Sequence, residues 1–518
     1  MATQEVEIDQ VKFGLIKDEI TANLPSSWIA STLGESFKWG SGGTPRSGIQ
    51  EYYAGGNIPW LIIGDLNDGV VNSSQTAITD QGLKDSSAKL VEPGTILVAM
   101  YGSIGKLGIA GKALATNQAI AFAYKNEIDP MYLFHFLMRI RGRLISLGKG
   151  ATQLNISQTV IKAFPFVIAP LAEQHRIVAK IEELFSELDK GNECLKTARE
   201  QLTLYRQALL KSAFDGALTE GWRRNYKSAI GGVEELKNQI LCERRDKFSK
   251  ALTKWEATGK RGLKPKTPKL ISVDSSKELA FLPKLPEGWC WEKIGNLAYV
   301  GTGVTPLKGR ADFYEGGQIP WVTSGALNDN FVKEASGYVT TTALRETGLK
   351  IYPKNTLLVA MYGEGKTRGK CSELLIDATI NQAIAAIVFE GTADRLRRYI
   401  KLFFQKNYNQ MRLKSSGGVQ PNLNLGIVEN TYIPLCPGEE ADAIVEEVDA
   451  ILSRIEEFEG VVDASVLLVD SLRQSILQKA FSGQLVPQDP NDEPASKLLS
   501  RIKAEVSKSK PSKKKKDA

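Results

Sequence analysis

Hydrophobic positions along the chain form two kinds of stretch, and each kind occurs twice. In 24–165, and again in 285–435, short apolar runs alternate with turns rich in Gly and Pro. ILVAMYG and AIAFAY in the first stretch read as strands, as do TLLVAMYG and IAAIVF in the second. A helix follows each set of strands. Tyr132, Leu133, Phe136, Leu137, Ile140 and Leu144 keep helical spacing, and Leu396, Tyr399, Ile400, Phe403 and Phe404 do so in the second stretch. Each stretch predicts a globular α/β or α+β domain long enough to bury its own core.

After Pro170 and Pro437 the period changes. Proline suits a first helical turn. From there Ile177, Ile181, Leu184, Leu188, Gly191, Leu195, Ala198, Leu202, Tyr205 and Leu209 recur with alternating spacings of four and three. Ile444, Val448, Ile451, Ile455, Phe458, Val462, Ser465, Val469, Leu472 and Ile476 repeat the pattern. About five heptads in each predict a coiled-coil seam, ending near Gly216 and Gly483, as C-terminal glycines commonly mark. A helix of ~45 residues spans about 65 Å. The two seams are expected to pair antiparallel, with a head at each end of a rod. The residues expected to form this coiled-coil and partner interface are Ile177, Ile181, Leu184, Leu188, Leu202, Leu209, Ile444, Val448, Ile451, Ile455, Val469 and Ile476.

The two halves share more than periodicity. LPSSW at 24–28 returns as LPEGW at 285–289, GSGGTP at 40–45 as GTGVTP at 301–306, and GGNIPW at 55–60 as GGQIPW at 316–321, all at an offset of 261. AMYG at 99–102 returns at 360–363 with that offset, and NQAIA at 117–121 returns at 381–385, offset 264. Gln153 and Asn155 return as Gln420 and Asn422, and RQALLKSAFDGAL at 206–218 as RQSILQKAFSGQL at 473–485, both at 267. The chain is therefore a tandem repeat whose copies differ in loop length only in the middle. It divides into an N-terminal arm (1–21), a first head (22–169), a long helix (170–218), a basic linker with an extra helix (219–284), a second head (285–436), a second long helix (437–486) and a basic tail expected to be disordered (487–518).

Composition narrows the chemistry. The 518 residues are 42% apolar and 24% charged, the balance of a globular protein. No apolar run approaches the ~20 residues needed to span a bilayer, and MATQEVEIDQ lacks the features of a signal peptide. Five scattered cysteines without a C-x-x-C pair fit free thiols in a reducing cytoplasm. Two histidines, His135 and His175, both in helical stretches, leave little for metal or triad chemistry, and no metal site is expected.

Charge is uneven. The overall +7 hides mildly basic heads (+3 over 22–165, +4 over 285–437), an acidic second helix (−8 over 438–480), and basic segments at 221–270 (+9) and 501–518 (+6). GEGKT at 363–367 resembles the end of a phosphate loop, but Ala360 stands where that loop needs Gly, and GSIGKL in the other copy ends in Leu107. No NPPY- or DPPY-like tetrapeptide of an amino-methyltransferase occurs, and no nuclease signature stands out. Repeated polar residues are more informative. The loop after TP carries Arg46 in one copy and Lys308 with Arg310 in the other. The loop after AMYG carries Lys106, then Lys366 with Arg368. The approach to the long helix carries Lys149, Gln153 and Asn155, then Lys414, Gln420 and Asn422. Gln and Asn match adenine edges, and Lys and Arg match guanine edges and phosphates. As a set repeated on basic heads they favour a polyanion-binding face. Trp60 and Trp321, in the IPW turns, favour the core over base stacking.

This combination resembles the specificity subunit of type I restriction-modification systems. The resemblance rests on the tandem units, the TP and GG-x-IPW turns, the AMYG–Gly–Lys loop, the G-x-x-Q-x-N stretch and the repeated helix end, and it covers residues 20–490. It implies a fold of two pseudo-symmetric α/β target recognition domains joined by two long helices in an antiparallel coiled coil. Each domain would read one half of an asymmetric bipartite DNA target. The helices would set the unread gap and dock two modification subunits. Those subunits would use S-adenosylmethionine to methylate adenine, and restriction subunits would use ATP and Mg. This chain would bind no cofactor and supply no catalytic residue. Rival readings are a two-headed scaffold or decoy that binds partners without reading DNA, and an autonomous methyltransferase.

Overall fold

The computed structural model describes residues 10–149, 154–226, 232–260, 264–265, 267–268, 270–273, 279–362, 367–414 and 423–508. It separates into two compact units, one of Met1–Lys196 with Asp463–Ala518 and one of Thr197–Val462. Each unit therefore combines a head, the start of one long helix and the end of the other.

In the first unit, five strands run in the order Trp39–Ser41, Ile120–Ala123, Ile96–Ala99, Leu107–Ala110 and Val70–Val71. All neighbours are antiparallel except the last pair. A second sheet orders Ala77–Ile78, Ile58–Leu61, Leu114–Thr116 and Leu90–Val91, and Ile29–Thr32 pairs with Pro165–Ile168. The second unit repeats this plan. Its five strands are Tyr299–Thr302, Ile384–Val388, Leu357–Ala360, Cys371–Leu374 and Phe331–Val332, beside a sheet of Gly337–Val339, Ile319–Val322 and Thr379–Ile380. The strand matching Leu90–Val91 shrinks to one bridge, Tyr352 with Ala378. The IPW segments, expected as turns, lie in strands. Trp60 is buried there and Trp321 is half-buried, each edge-on to a tyrosine ring 6.2 Å away.

Helix Pro130–Ser146 packs its apolar stripe into the first core. Pro130 opens it, and Asp129 caps it by accepting from the Met131 N–H at 2.7 Å. The hydroxyls of Tyr132 and of its counterpart Tyr399 donate to the carbonyls of Val167 (3.1 Å) and Pro434 (2.7 Å). The LPSSW and LPEGW motifs serve a parallel purpose. The indoles of Trp28 and Trp289 donate to Glu173 (2.9 Å) and Glu440 (2.8 Å), in the first turns of the long helices. Burial pushes the Glu173 carboxyl up.

The long helices are Leu171–Phe214 and Gly438–Ala480. Their repeated ends have a specific task. Phe481 packs on Tyr132 and Phe136 (4.9 and 5.2 Å) in the first unit, and Phe214 on Tyr399 and Phe403 (4.9 and 5.3 Å) in the second. Each head is thus closed by the helix end of the other repeat. Gly216 and Gly483 follow with φ near +74°, the left-handed cap that glycine adopts without strain.

The helices pack together antiparallel in both units, as Arg473–Asp189 and Arg206–Glu459 pairings require. Ile177, Ile181, Leu209, Ile444, Val448, Ile455 and Val469 are buried, while Leu184, Leu188, Leu202, Ile451 and Ile476 are half-buried. Other layers of the expected seam are displaced by one residue. Gly191, Tyr205, Phe458 and Leu472 are exposed, and Asn192, Arg206, Glu459 and Arg473 take the half-buried places. A strict 3.5-residue repeat drifts against an α-helix of 3.6, and here polar side chains fill the displaced layers. Arg473 lies over Phe185 at 4.7 Å while pairing with Asp189.

The N-terminal arm is helical over Gln10–Thr21, with Ile20 buried in the first core. Residues 1–9 lie outside the described residues. The tail, expected to be disordered, forms the helix Ala495–Lys508, and its Ala495, Leu498, Leu499 and Ile502 are buried against the first head. Asp492 pairs with Arg176 at 2.6 Å before it, and residues 509–518 lie outside the described residues. The extra helix of the linker is Val233–Ala257. Val233, Leu236 and Ile240 enter the second core, and Arg244 donates to the carbonyls of Gly295 (2.9 Å) and Asn296 (2.5 Å). This helix packs on Ile294–Leu297, and the tail helix packs on the equivalent Leu33–Ser36. The two helices thus pack at equivalent places on the two heads.

Candidate nucleic-acid interface

The TP loop is built by close backbone approach. Gly43 N–H donates to the Thr116 carbonyl at 3.0 Å, and Val304 N–H to the Ile380 carbonyl at 3.1 Å. A Cβ on Gly42 would lie 1.8 Å from the Thr116 carbonyl oxygen, and one on Gly303 1.6 Å from that of Ile380, so only glycine fits either position. Pro45 and Pro306 are anchored through their carbonyls, which accept from the Tyr53 and Tyr314 hydroxyls at 2.6 Å. The Trp60 indole donates to the Gly43 carbonyl at 3.0 Å, whereas the Trp321 indole nitrogen is buried without a partner. Thr44 donates its hydroxyl to the Gln118 side-chain carbonyl, and Thr305 does the same to Gln382. The TP and NQAIA motifs therefore meet in both heads.

Arg46 and Lys308 are exposed on this loop. Arg310 is exposed too, but it is bound to Asp312 (2.6 Å) and Glu346 (3.1 Å) and lies 4.2 Å from the Phe313 ring centre. The Asp312 hydrogen bond pushes its guanidinium pKa further up. Its charge is already matched within the head.

The AMYG loop folds back in both heads. Ala99 N–H donates to the Lys106 carbonyl (2.9 Å), and Ala360 N–H to that of Lys370 (3.0 Å). Lys370, not Lys366, is thus the structural counterpart of Lys106, because the second loop differs in length by three residues. Sequence motifs paired Lys106 with Lys366, and Lys370 was missed. Lys106 and Lys370 are half-buried, and Lys370 donates to Asn328 Oδ1 at 3.0 Å. The first loop is braced by Arg141, which donates to the Gly105 carbonyl at 2.8 Å and grips Asp68 with two guanidinium nitrogens. Asp68 also accepts from the Leu107 N–H at 2.8 Å. Arg368 is half-buried on the second loop.

Lys149 and Asn155 are joined by reciprocal backbone hydrogen bonds of 3.0 and 2.9 Å, and Gly102 N–H donates to the Leu154 carbonyl at 3.0 Å. This brings Lys149 and Asn155 beside the AMYG loop, where Tyr101 is exposed. Gln153, Lys366, Gln420 and Asn422 lie outside the described residues. Lys414 ends the helix Tyr408–Lys414, and its side chain is also outside them.

A cleft of about 640 Å³ in the second unit contains Arg206, Arg398, Lys401, Asp449 and Glu456. Its cations face carboxylates: Arg398–Asp449 at 2.6 Å and Lys401–Glu373 at 3.2 Å. Burial lowers the Lys401 pKa and Glu373 opposes that shift. Lys370 lines the same cleft and faces Asn328 rather than a carboxylate. Among the described residues no cluster of His, Cys, Asp and Glu could hold a metal ion, and no helix is long and apolar enough to cross a membrane.

Comparison with known proteins bears on both copies of the repeat. The family model for the type I restriction modification DNA specificity domain matches residues 25–198 and 286–459. The chain is similar to the type I restriction enzyme MjaIX specificity subunit of Methanocaldococcus jannaschii, 19% identical over 90% of this chain and 96% of that one. It is similar to the EcoKI specificity subunit of Escherichia coli K12, 24% identical over 93% and 96%. Among solved structures, the HsdS subunit from Thermoanaerobacter tengcongensis matches with a TM-score of 0.51 at 16% identity, covering 90% of this chain and all 100% of that one. A chain from a study of assembly and conformational transition in the type I R-M system matches with a TM-score of 0.61 at 17% identity, covering 89% and 99%.

Proposed function

The chain belongs to the type I restriction modification DNA specificity domain family, and on that premise we propose that it is the subunit that reads DNA for a type I restriction-modification complex. It acts without catalytic residues of its own. Each head reads one half of a bipartite, asymmetric double-stranded target, and partner subunits methylate adenine N6 and restrict unmodified DNA. The observation that carries this reading is the pair of heads with one scaffold and unlike loops. GSGGTP and GTGVTP are held the same way, while Arg46 faces outward in one and Lys308 in the other. A shared frame with different tips suits two half-sites of different sequence.

Two modification subunits dock on the long helices, carrying S-adenosylmethionine, and restriction subunits bring ATP and Mg. In the first unit Leu468 and Leu472, one turn apart on the acidic second helix, are exposed, and exposed apolar side chains there suit a protein partner better than DNA. The complex works in the cytoplasm, where its DNA is. Co-expression with the modification subunit in a methylation-free host, followed by single-molecule sequencing for N6-methyladenine, is expected to give a new bipartite motif with a methylated adenine in each half. An active, soluble complex that writes no motif would favour the scaffold or decoy reading.

A further inference from the structure

Two heads that read different half-sites must differ where they touch bases. Side chains that are identical and identically held in both heads cannot tell the halves apart. Thr44 with Gln118, and Thr305 with Gln382, are such a set. All but Thr305 are exposed, and Thr305 is half-buried. Their frame is duplicated as well. Asn117 N–H donates to the Leu61 carbonyl and Asn381 N–H to that of Val322, both at 3.0 Å. The side chains of Asn117 and Asn381 accept from the N–H of Ala119 (3.1 Å) and Ala383 (3.2 Å). On the other side, Gly42 and Gly303 press the TP loop onto the neighbouring strand.

This investment exceeds what an exposed neutral hydrogen bond returns to folding, since water competes for both partners. The threonine hydroxyl occupies the glutamine carbonyl and orients the carboxamide. The NH2 group keeps both of its donors, and the TP loop to which the carboxamide is bound carries an exposed cation in each head, Arg46 or Lys308. Paired donors beside a cation suit an acceptor-only anion. In double-stranded DNA the anion common to every sequence is the backbone phosphate.

We propose that Thr44–Gln118 and Thr305–Gln382 are matched, sequence-independent contacts to backbone phosphates, one in each half-site, that set the register of each head on the duplex. This rests on the DNA-reading function, and the wild-type complex serves as its control: if wild type writes no motif, that function fails, whatever the variants do.

The test uses the full chain with its modification subunits. The double variant Gln118→Ala, Gln382→Ala is expected to bind cognate and unrelated duplexes about tenfold more weakly, by a similar factor for each, and to write an unchanged methylation motif. Gln118→Lys places a cation at the same point. It is expected to restore affinity at low salt and to steepen the salt dependence of log K by about 0.9, the increment for one phosphate contact. A motif relaxed at one base in the half-site would overturn the proposal in favour of base reading. Unchanged binding by the double variant, with no change of salt slope in Gln118→Lys, would overturn it in favour of an idle surface pair. Circular dichroism and thermal unfolding of both variants identify any loss that comes from misfolding.

Discussion

His135 is buried on the helix Pro130–Ser146 with neither ring nitrogen hydrogen-bonded, edge-on to Phe134 and Phe185. Burial lowers its pKa to about 4, against a smaller opposing pull from Asp129. The unfolded chain binds a proton there near pH 6.5 and the folded one does not, so stability is fully present above pH 6.5 and falls as pH drops towards 4. Urea unfolding of the first unit is expected to lose up to about 3 kcal/mol to this residue across that window. His135→Phe should remove that share of the slope, and an unchanged slope would refute the assignment. At this scale the sequence was informative where residues stay in register and misleading where they do not. Gly42 and Gly303, set in matching motifs, prove indispensable. Lys370 went unseen because a three-residue length change moved it off the offset of the AMYG motif. Gln118 and Gln382 sat in the identical NQAIA motifs, which served only as evidence of the repeat.

Elements were legible where apolar periodicity is strong. Both long helices, the linker helix and the four strands read from ILVAMYG, AIAFAY, TLLVAMYG and IAAIVF fall where the pattern puts them, whereas the IPW strands and the short edge strands were not read. The tail helix was hidden by its lysines, although Leu498, Leu499 and Ile502 share the helical spacing of a docked face. Removing residues 495–518 uncovers the first core and is expected to destabilise that unit by on the order of 3–5 kcal/mol. Removing only 509–518 should leave the unfolding midpoint in place, and equal losses from both truncations would contradict the docked helix. The seam was misread for a related reason. Phe458 and Leu472 look like core, yet Glu459 and Arg473 turn inward and leave them exposed. Hydrophobicity alone cannot separate a residue buried within the chain from one kept for a partner.

At the scale of the whole molecule, the tandem repeat explains why each unit needs both ends of the chain's repeat. A head is complete only when the other copy supplies Phe481 or Phe214 to its aromatic core, and a helix, Ala495–Lys508 or Val233–Ala257, to its flank. The two-fold plan was readable from the offsets of 261 and 267, but the exchange of helix ends was not, because a repeat in sequence does not say which copy its end will meet. Each head, on the proposed function, reads its own half of one DNA target. The most direct measurement is to replace residues 22–165 with the matching head of a relative and sequence the N6-methyladenine that the complex writes. A motif altered in one half only is expected, with the other half and the methylated adenine there retained. A motif altered in both halves, or in neither, would contradict that reading.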